Sequence, residues 1–208
     1  MCGRYSVQKK TLLVANGLVK KNINVDLDQD NFNCSPGGKY PVIKSATNGK
    51  YLEMTTWGLK FSWAKEDFRP LHNARLEGID TKVSFKKLII NSRAIVPCSG
   101  YYEWKKTDNK KIPYYFTKVD DQDIFLAGIH DNGQFCVITR DAEPSNSKIH
   151  HRQPVIVPKS QINNYFNLNN NAVEFLNNVK PPKLKFYEIS TEVNNPAKND
   201  PSIINPVR

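Results

Sequence analysis

The residues able to do chemistry begin at the second position. Met1-Cys2-Gly3-Arg4 places a cysteine directly after the initiator methionine. Removal of Met1 gives Cys2 a free α-amine and a thiol on one residue, a pair that no internal cysteine offers. The other cysteines, Cys34, Cys98 and Cys136, form no C-x-x-C pair, which argues against a zinc ribbon or a thioredoxin-like motif. They read as inert packing residues. A carboxylate stands in the aromatic run Gly100-Tyr101-Tyr102-Glu103-Trp104. On a strand, alternation puts Glu103 with Tyr101 and Lys105, opposite Tyr102 and Trp104. A lone strand glutamate ordinarily faces water. In a partly desolvated aromatic pocket its pKa would instead rise, and it would transfer protons near neutrality.

Two further clusters carry polar chemistry. In His72-Asn73-Ala74-Arg75, an asparagine can orient a nucleophile or a carbonyl, and Arg75 can hold a phosphate; the competing reading is a plain turn. Ile149-His150-His151-Arg152-Gln153-Pro154 brings two imidazoles and a guanidinium before a proline-closed strand. Adjacent histidines on a strand point to opposite faces, so one of them at most should meet a given site. No other His or Cys lies at ligand spacing, so no metal is expected. Trp57 and Trp63 lie near Arg69 and Arg75. Rings interleaved with arginines suit single-stranded nucleic acid, at about 1–3 kcal/mol per stacked base. Trp57, ending a strand, reads as core, and spacing does not decide Trp63.

These residues need a scaffold. With 208 residues and 39% hydrophobic content, the chain can bury one substantial core. Its formal net charge of +10 fits a polyanionic partner, nucleic acid before membrane, or else a solvated lysine-rich surface. No apolar run reaches membrane-spanning length and no signal peptide is visible, so a soluble protein of a reducing compartment is expected. Periodicity predicts a helix over 8–21 and strands at 40–44 and 51–57 around Asn48-Gly49. Residues 31–38 read as a loop and 61–79 as irregular, with helical turns at 83–90. Strands are expected at 93–97, 100–105, 114–118, 124–129, 135–139, 155–157 and 184–189, short helices at 161–166 and 172–178, and an irregular tail from 194. The expected fold class is α+β: a single domain over 1–208 with a mainly antiparallel core, either two packed sheets or an open barrel, and short peripheral helices.

Taken together, Met1-Cys2-Gly3-Arg4, Asn33-Cys34-Ser35-Pro36-Gly37, Trp57-Gly58, Asn73-Ala74-Arg75, Gly100-Tyr101-Tyr102-Glu103-Trp104, Ala127-Gly128-Ile129, Ile138-Thr139 and Ile149-His150-His151-Arg152-Gln153-Pro154 resemble the SRAP (SOS response-associated peptidase) family. Those proteins cross-link to abasic sites in single-stranded DNA. The resemblance implies that the Cys2 amine condenses with the open-chain aldehyde of the lesion and that the thiol then closes a thiazolidine. It implies catalytic roles for Cys2, Asn73, Glu103 and His150. It implies DNA contacts from Arg4, Arg75, Arg152, Pro36, Trp63 and Thr139. It further implies no cofactor or metal, a monomer, a partner consisting of single-stranded DNA with abasic sites, no membrane, and a cytoplasmic or nuclear location. Two other readings stand beside it: a cysteine peptidase that cuts its own N-terminus, and a non-enzymatic single-strand-binding module.

Overall fold

The structure, a computed structural model, describes residues 2–207; Met1 and Arg208 lie outside the described residues. The first half of the chain forms β1 (Tyr5–Val7), α1 (Lys9–Asn16), β2 (Lys21–Ile23), β3 (Asn31–Cys34), β4 (Lys39–Ala46), β5 (Gly49–Trp57), β6 (Asn73–Arg75) and α2 (Lys86–Asn91). The second half forms β7 (Arg93–Cys98), β8 (Gly100–Lys106), β9 (Lys111–Lys118), β10 (Ile124–Asp131), β11 (Gln134–Asp141), β12 (Arg152–Pro154), α3 (Ile162–Phe166), α4 (Ala172–Asn178) and β13 (Leu184–Glu188). Short 3-10 turns lie at Lys159–Gln161, Thr191–Asn194 and Pro201–Ile204.

Two sheets share one core. The smaller is antiparallel throughout, in the order β13-β9-β8-β1-β3. The larger runs β12-β11-β10-β7-β4-β5-β2, with β6 beside β11. It curls on itself, because β11 also pairs with β5 through Gln134↔Thr56 and Phe135↔Trp57. The fold therefore combines the two expected alternatives, with two packed sheets of which one is closed through a short parallel contact. Ser99 turns the chain from β7 into β8, and its N–H donates to Ser6 O at 2.8 Å, tying the corner to β1.

Alternation decides what faces what. Ala94 and Val96 of β7 join Val42, Trp57, Leu126 and Val137 in the layer against Tyr5, Tyr101 and Phe116 of the smaller sheet. Ile95 faces the other way, with Ile43, Leu52, Ile129 and Ile138, and the helices cover that face through Ala15, Ile89, Tyr165 and Leu176. Cys2, Cys34 and Cys98 lie in the layer between the sheets and Cys136 lies under the helices, all fully buried.

Differences from the sequence expectation have local causes. α1 is shorter than 8–21, because Gly17 follows its last turn and lowers helix propensity there. The expected loop at 31–38 begins as a strand, and the expected irregular stretch at 61–79 contains β6. Both strands are short and owe their existence to pairing with distant partners, β1 and β11. The expected irregular tail is ordered: Val193 and Ile203 pack with Phe32, Tyr102 and Tyr115 on the outer face of the smaller sheet.

Trp57 links the sheets to the segment before Asn73. Its ring lies 5.1 Å from Tyr5 and stacks at 6.0 Å on Phe135, and Nε1–H donates to His72 O at 2.9 Å. The next residue, Gly58, has φ +139°, and a Cβ there would meet Pro70 at 3.0 Å. Trp57→Ala is expected to cost about 3–5 kcal/mol. Urea unfolding measures it, and a loss below about 1 kcal/mol would contradict this account of the core.

Candidate active site

The smaller sheet positions the start of the chain. Tyr5 pairs with Tyr101, and the register continues as Tyr102 N–H donates to Arg4 O at 2.9 Å. The Cys2 thiol lies 3.9 Å from the same carbonyl. Cys2 is fully buried. That burial, and then the nearby charge of Glu103, push its thiol far above the usual range, so it rests as a neutral thiol.

The larger sheet brings Asn73 to it. β6 runs parallel to β11 with Asn73 opposite Val137, and Trp57 anchors the preceding carbonyl. Asn73 Nδ2 donates to Cys2 O at 2.9 Å. A carbonyl only accepts, so the amide nitrogen must face it and Oδ1 must face away. Oδ1 is then a buried acceptor without a partner among the described residues.

Glu103 is 3% exposed, so the structure selects the pocket over the solvent-facing alternative. Burial pushes its pKa up to about 7. Its charge acts on both Cys2 and Tyr101. Tyr101 and Tyr102 enter clusters on opposite faces of the sheet, as alternation requires.

His150 lies in a bend before β12. His150 Nδ1 lies 3.0 Å from Arg152 N and 3.2 Å from Arg152 O, so the Arg152 backbone fixes this edge of the ring whichever nitrogen carries the proton. Burial lowers its pKa to about 4, so His150 is neutral at pH 7. The expectation that His150 and His151 point apart is corrected. They are not on a strand, and their rings stack at 4.5 Å and 23°.

The DNA-contact candidates divide. Arg75 is exposed, and its side chain forms no hydrogen bond or ion pair among the described residues. Trp63 is 60% exposed and stacks at 5.1 Å on buried Phe61, leaving one ring face outward. Pro36 is half-buried in the turn after β3. Arg4 is partly buried and Nη1 is engaged within the protein. Two candidates are corrected. Thr139 is fully buried in β11, between β6 and β12, and cannot touch a strand of DNA. Arg152 is 5% exposed and its two terminal nitrogens are engaged internally, by Glu77 at 2.9 and 2.8 Å, Asp141 at 2.7 Å and Thr139 O at 2.8 Å, while Nε is buried without a partner among the described residues. Burial alone would lower its pKa, but the hydrogen bonds to Glu77 and Asp141 outweigh burial and raise it. Sequence inspection missed Glu77 and Asp141, which carry no motif and meet Arg152 only through the fold. Among the described residues no group of three or more His, Cys, Asp or Glu could hold a metal ion, and no helix is long and apolar enough to cross a membrane.

Fold and site define a β-rich protein whose second residue lies where an amide and a buried acid from different sheets converge. The profile of the family "SOS response associated peptidase (SRAP)" matches residues 1–196, and the chain belongs to that family. It is 32% identical over 170 residues to the abasic site processing protein YedK of Escherichia coli, covering 76% of this chain and 75% of that one. It is 27% identical to the abasic site processing protein YoqW of Bacillus subtilis, covering 98% and 99%. A crystal structure of a Bacteroides thetaiotaomicron protein superposes with a TM-score of 0.84 at 26% identity over the whole of both chains.

Glu103 and His150 give opposite pH dependences. The folded pKa of Glu103 is raised from 4.5 to about 7, so the native state holds a proton that the unfolded chain releases. Its contribution to stability therefore falls as pH rises through that window, by on the order of 3 kcal/mol. The depressed His150 removes stability as pH falls from 6.5 towards 4. The two slopes oppose each other, so they separate only by difference. Urea unfolding should show Glu103→Gln gaining on the parent between pH 4.5 and 7; a flat difference would refute the buried acid.

Proposed function

We propose that this chain processes abasic sites in single-stranded DNA through a covalent bond to Cys2. The observation that carries the proposal is the Asn73 hydrogen bond to the Cys2 carbonyl, made beside a carboxyl whose pKa is about 7. The names of YedK and YoqW as abasic site processing proteins support it, as does the net charge of +10.

The chemistry starts with loss of Met1, which lies outside the described residues. An α-amine has a reference pKa of about 7.7–8.0, well below that of a lysine, and the freed Cys2 amine attacks the aldehyde of the ring-opened lesion in its neutral form. Protonated Glu103 gives its proton to the departing hydroxyl, water leaves, and an iminium forms. The neutral Cys2 thiol then adds to the iminium carbon. Its proton passes to the Glu103 carboxylate as the C–S bond closes a five-membered thiazolidine. The second step is intramolecular, which favours ring closure. A carboxyl titrating near 7 serves both transfers, because neither protonation state is scarce. Asn73 fixes the Cys2 carbonyl, and its vacant Oδ1 faces away to accept from the substrate. His150, a neutral imidazole at pH 7, assists opening of the sugar ring. Trp63 stacks on a base, Pro36 lies against a neighbouring one, and Arg75 meets phosphate. Arg152 is left out of the DNA contacts, because Nη1 and Nη2 are already bonded to Glu77, Asp141 and Thr139 O. The chain acts as one domain and as a monomer.

The peptidase reading has one consideration of its own: the family description names a peptidase, and cleavage of the Met1–Cys2 bond is the hydrolysis that the amine requires. It enters here as the activating step.

Protein with Met1 confirmed absent by intact mass should form a denaturation-resistant adduct with a single-stranded oligonucleotide carrying an abasic site. Cys2→Ala should abolish the stable product. An undiminished adduct in that variant would sink the proposal. Trp63→Ala should weaken binding of the same oligonucleotide by roughly 5- to 150-fold, the equivalent of about 1–3 kcal/mol.

A further inference from the structure

A groove of about 830 Å³ runs between the end of α1, the start of β10 and the segment that joins β12 to α3. Its floor is apolar: Phe125, Ile156 and Val157 are 2%, 3% and 1% exposed. Half-buried Val14, Leu18, Pro158 and Pro182 form the walls. None of Cys2, Asn73, Glu103 and His150 lines it, and neither do Trp63 and Arg75.

Three lysines line the same groove: Lys118, Lys159 and Lys180. Lys118 meets Asp120 at 3.3 Å. Lys159 and Lys180 are exposed, and their side chains form no ion pair or hydrogen bond among the described residues. Lys159 follows Pro158 and Lys180 precedes Pro181, so proline stiffens the backbone beside each charge. The one carboxylate in the lining, Asp123, already accepts from Thr11 Oγ1 at 2.6 Å. The floor also offers backbone. Ala127 N–H donates to Val155 O and Val157 N–H to Phe125 O, both at 2.8 Å, and Ile156 faces Leu126 between these bonds. A residue so placed in an antiparallel pair turns its own N–H and C=O away from the partner strand. Those of Ile156 have no partner among the described residues. Buried backbone groups are rarely left unpaired, and an added extended chain satisfies both at once.

Carboxylates answer the lysines, apolar side chains answer the floor, and a peptide backbone answers Ile156. Nucleic acid answers only the first. The one ring in the lining, Phe125, is buried, so no base can stack there, and no arginine lines the groove. We propose that this groove docks an extended acidic segment of a partner protein. Its apolar side chains rest on Phe125 and Val157, and its flanking Asp or Glu residues meet Lys159 and Lys180. The surface is separate from the Cys2 site, and the proposal does not rest on the DNA reading.

The test uses full-length protein and random ten-residue peptides displayed on phage. They are selected on the parent and counter-selected on a double variant, Lys159→Glu with Lys180→Glu, whose exposed changes should leave the unfolding temperature at the parent value. Recovered peptides should carry Asp or Glu beside Leu, Ile, Val or Phe. A synthetic copy should bind the parent, more weakly as salt rises, and lose on the order of tenfold in affinity for the double variant. Serine in place of the apolar residues of the peptide should abolish its binding, which tests the floor without altering the protein. Failure to recover peptides that depend on the two lysines overturns the proposal, as do recovered peptides without acidic residues or binding that survives the serine change. Two results would give the groove to DNA and overturn it equally: displacement of the peptide by an unmodified single-stranded oligonucleotide, or a lower adduct yield with the abasic strand in the double variant. A parent that binds the peptide but forms no adduct overturns the function proposed above and leaves this assignment standing.

Discussion

The hydrogen bond from Asn73 to the Cys2 carbonyl is the constraint on which the site depends, because it joins the two sheets at the start of the chain. A terminal segment is ordinarily the least ordered part of a domain unless something ties it down. Here β1 is paired on both sides, by β3 and β8, and the chain before it is caught by a side chain from the larger sheet. Asn73 can reach it only because β6 lies against β11 and Trp57 pins the His72 carbonyl. The closure of β11 onto β5 is what brings Trp57 and β11 together in the first place.

Burial does the rest of the chemical work. The same desolvation that raises the Cys2 thiol also holds Glu103 near neutrality and keeps His150 uncharged. Separate motifs for an acid, a nucleophile and a base would not produce these values in water. The site is therefore a property of the closed interior between the sheets, and its acid–base character follows from where β8 lies.

Arg4 and Arg152 show how two arginines of similar motif standing come to differ. Arg152 meets two carboxylates and a backbone carbonyl, so its charge is neutralised within the fold. Removing such a partner from a buried charge is strongly destabilising. Arg4 meets only an amide and a carbonyl, neither of them charged, so its positive charge is uncompensated by its hydrogen-bond partners. The difference lies in Glu77 and Asp141, which sit far from Arg152 in sequence.

Much of the fold was legible in the chain. The dense β pattern from 93 to 139, the hairpin at Asn48-Gly49 and the short helices after 160 appear as strands and helices near their expected places, because period and turn chemistry are local. Cys2, Asn73 and Glu103 were also legible as candidates, since residue type and ordered motifs pointed to them. Tertiary structure alone decided the rest. β3 and β6 exist because distant strands pair with them, and the ordered tail exists because Val193 and Ile203 find an apolar surface on the smaller sheet. The burial of Thr139, the internal pairing of Arg152, the stacking of His150 on His151 and the use of Asn33 by the C-terminal carbonyls share one cause. Each depends on which groups arrive opposite a residue from elsewhere in the chain, and that is set by packing, not by local sequence.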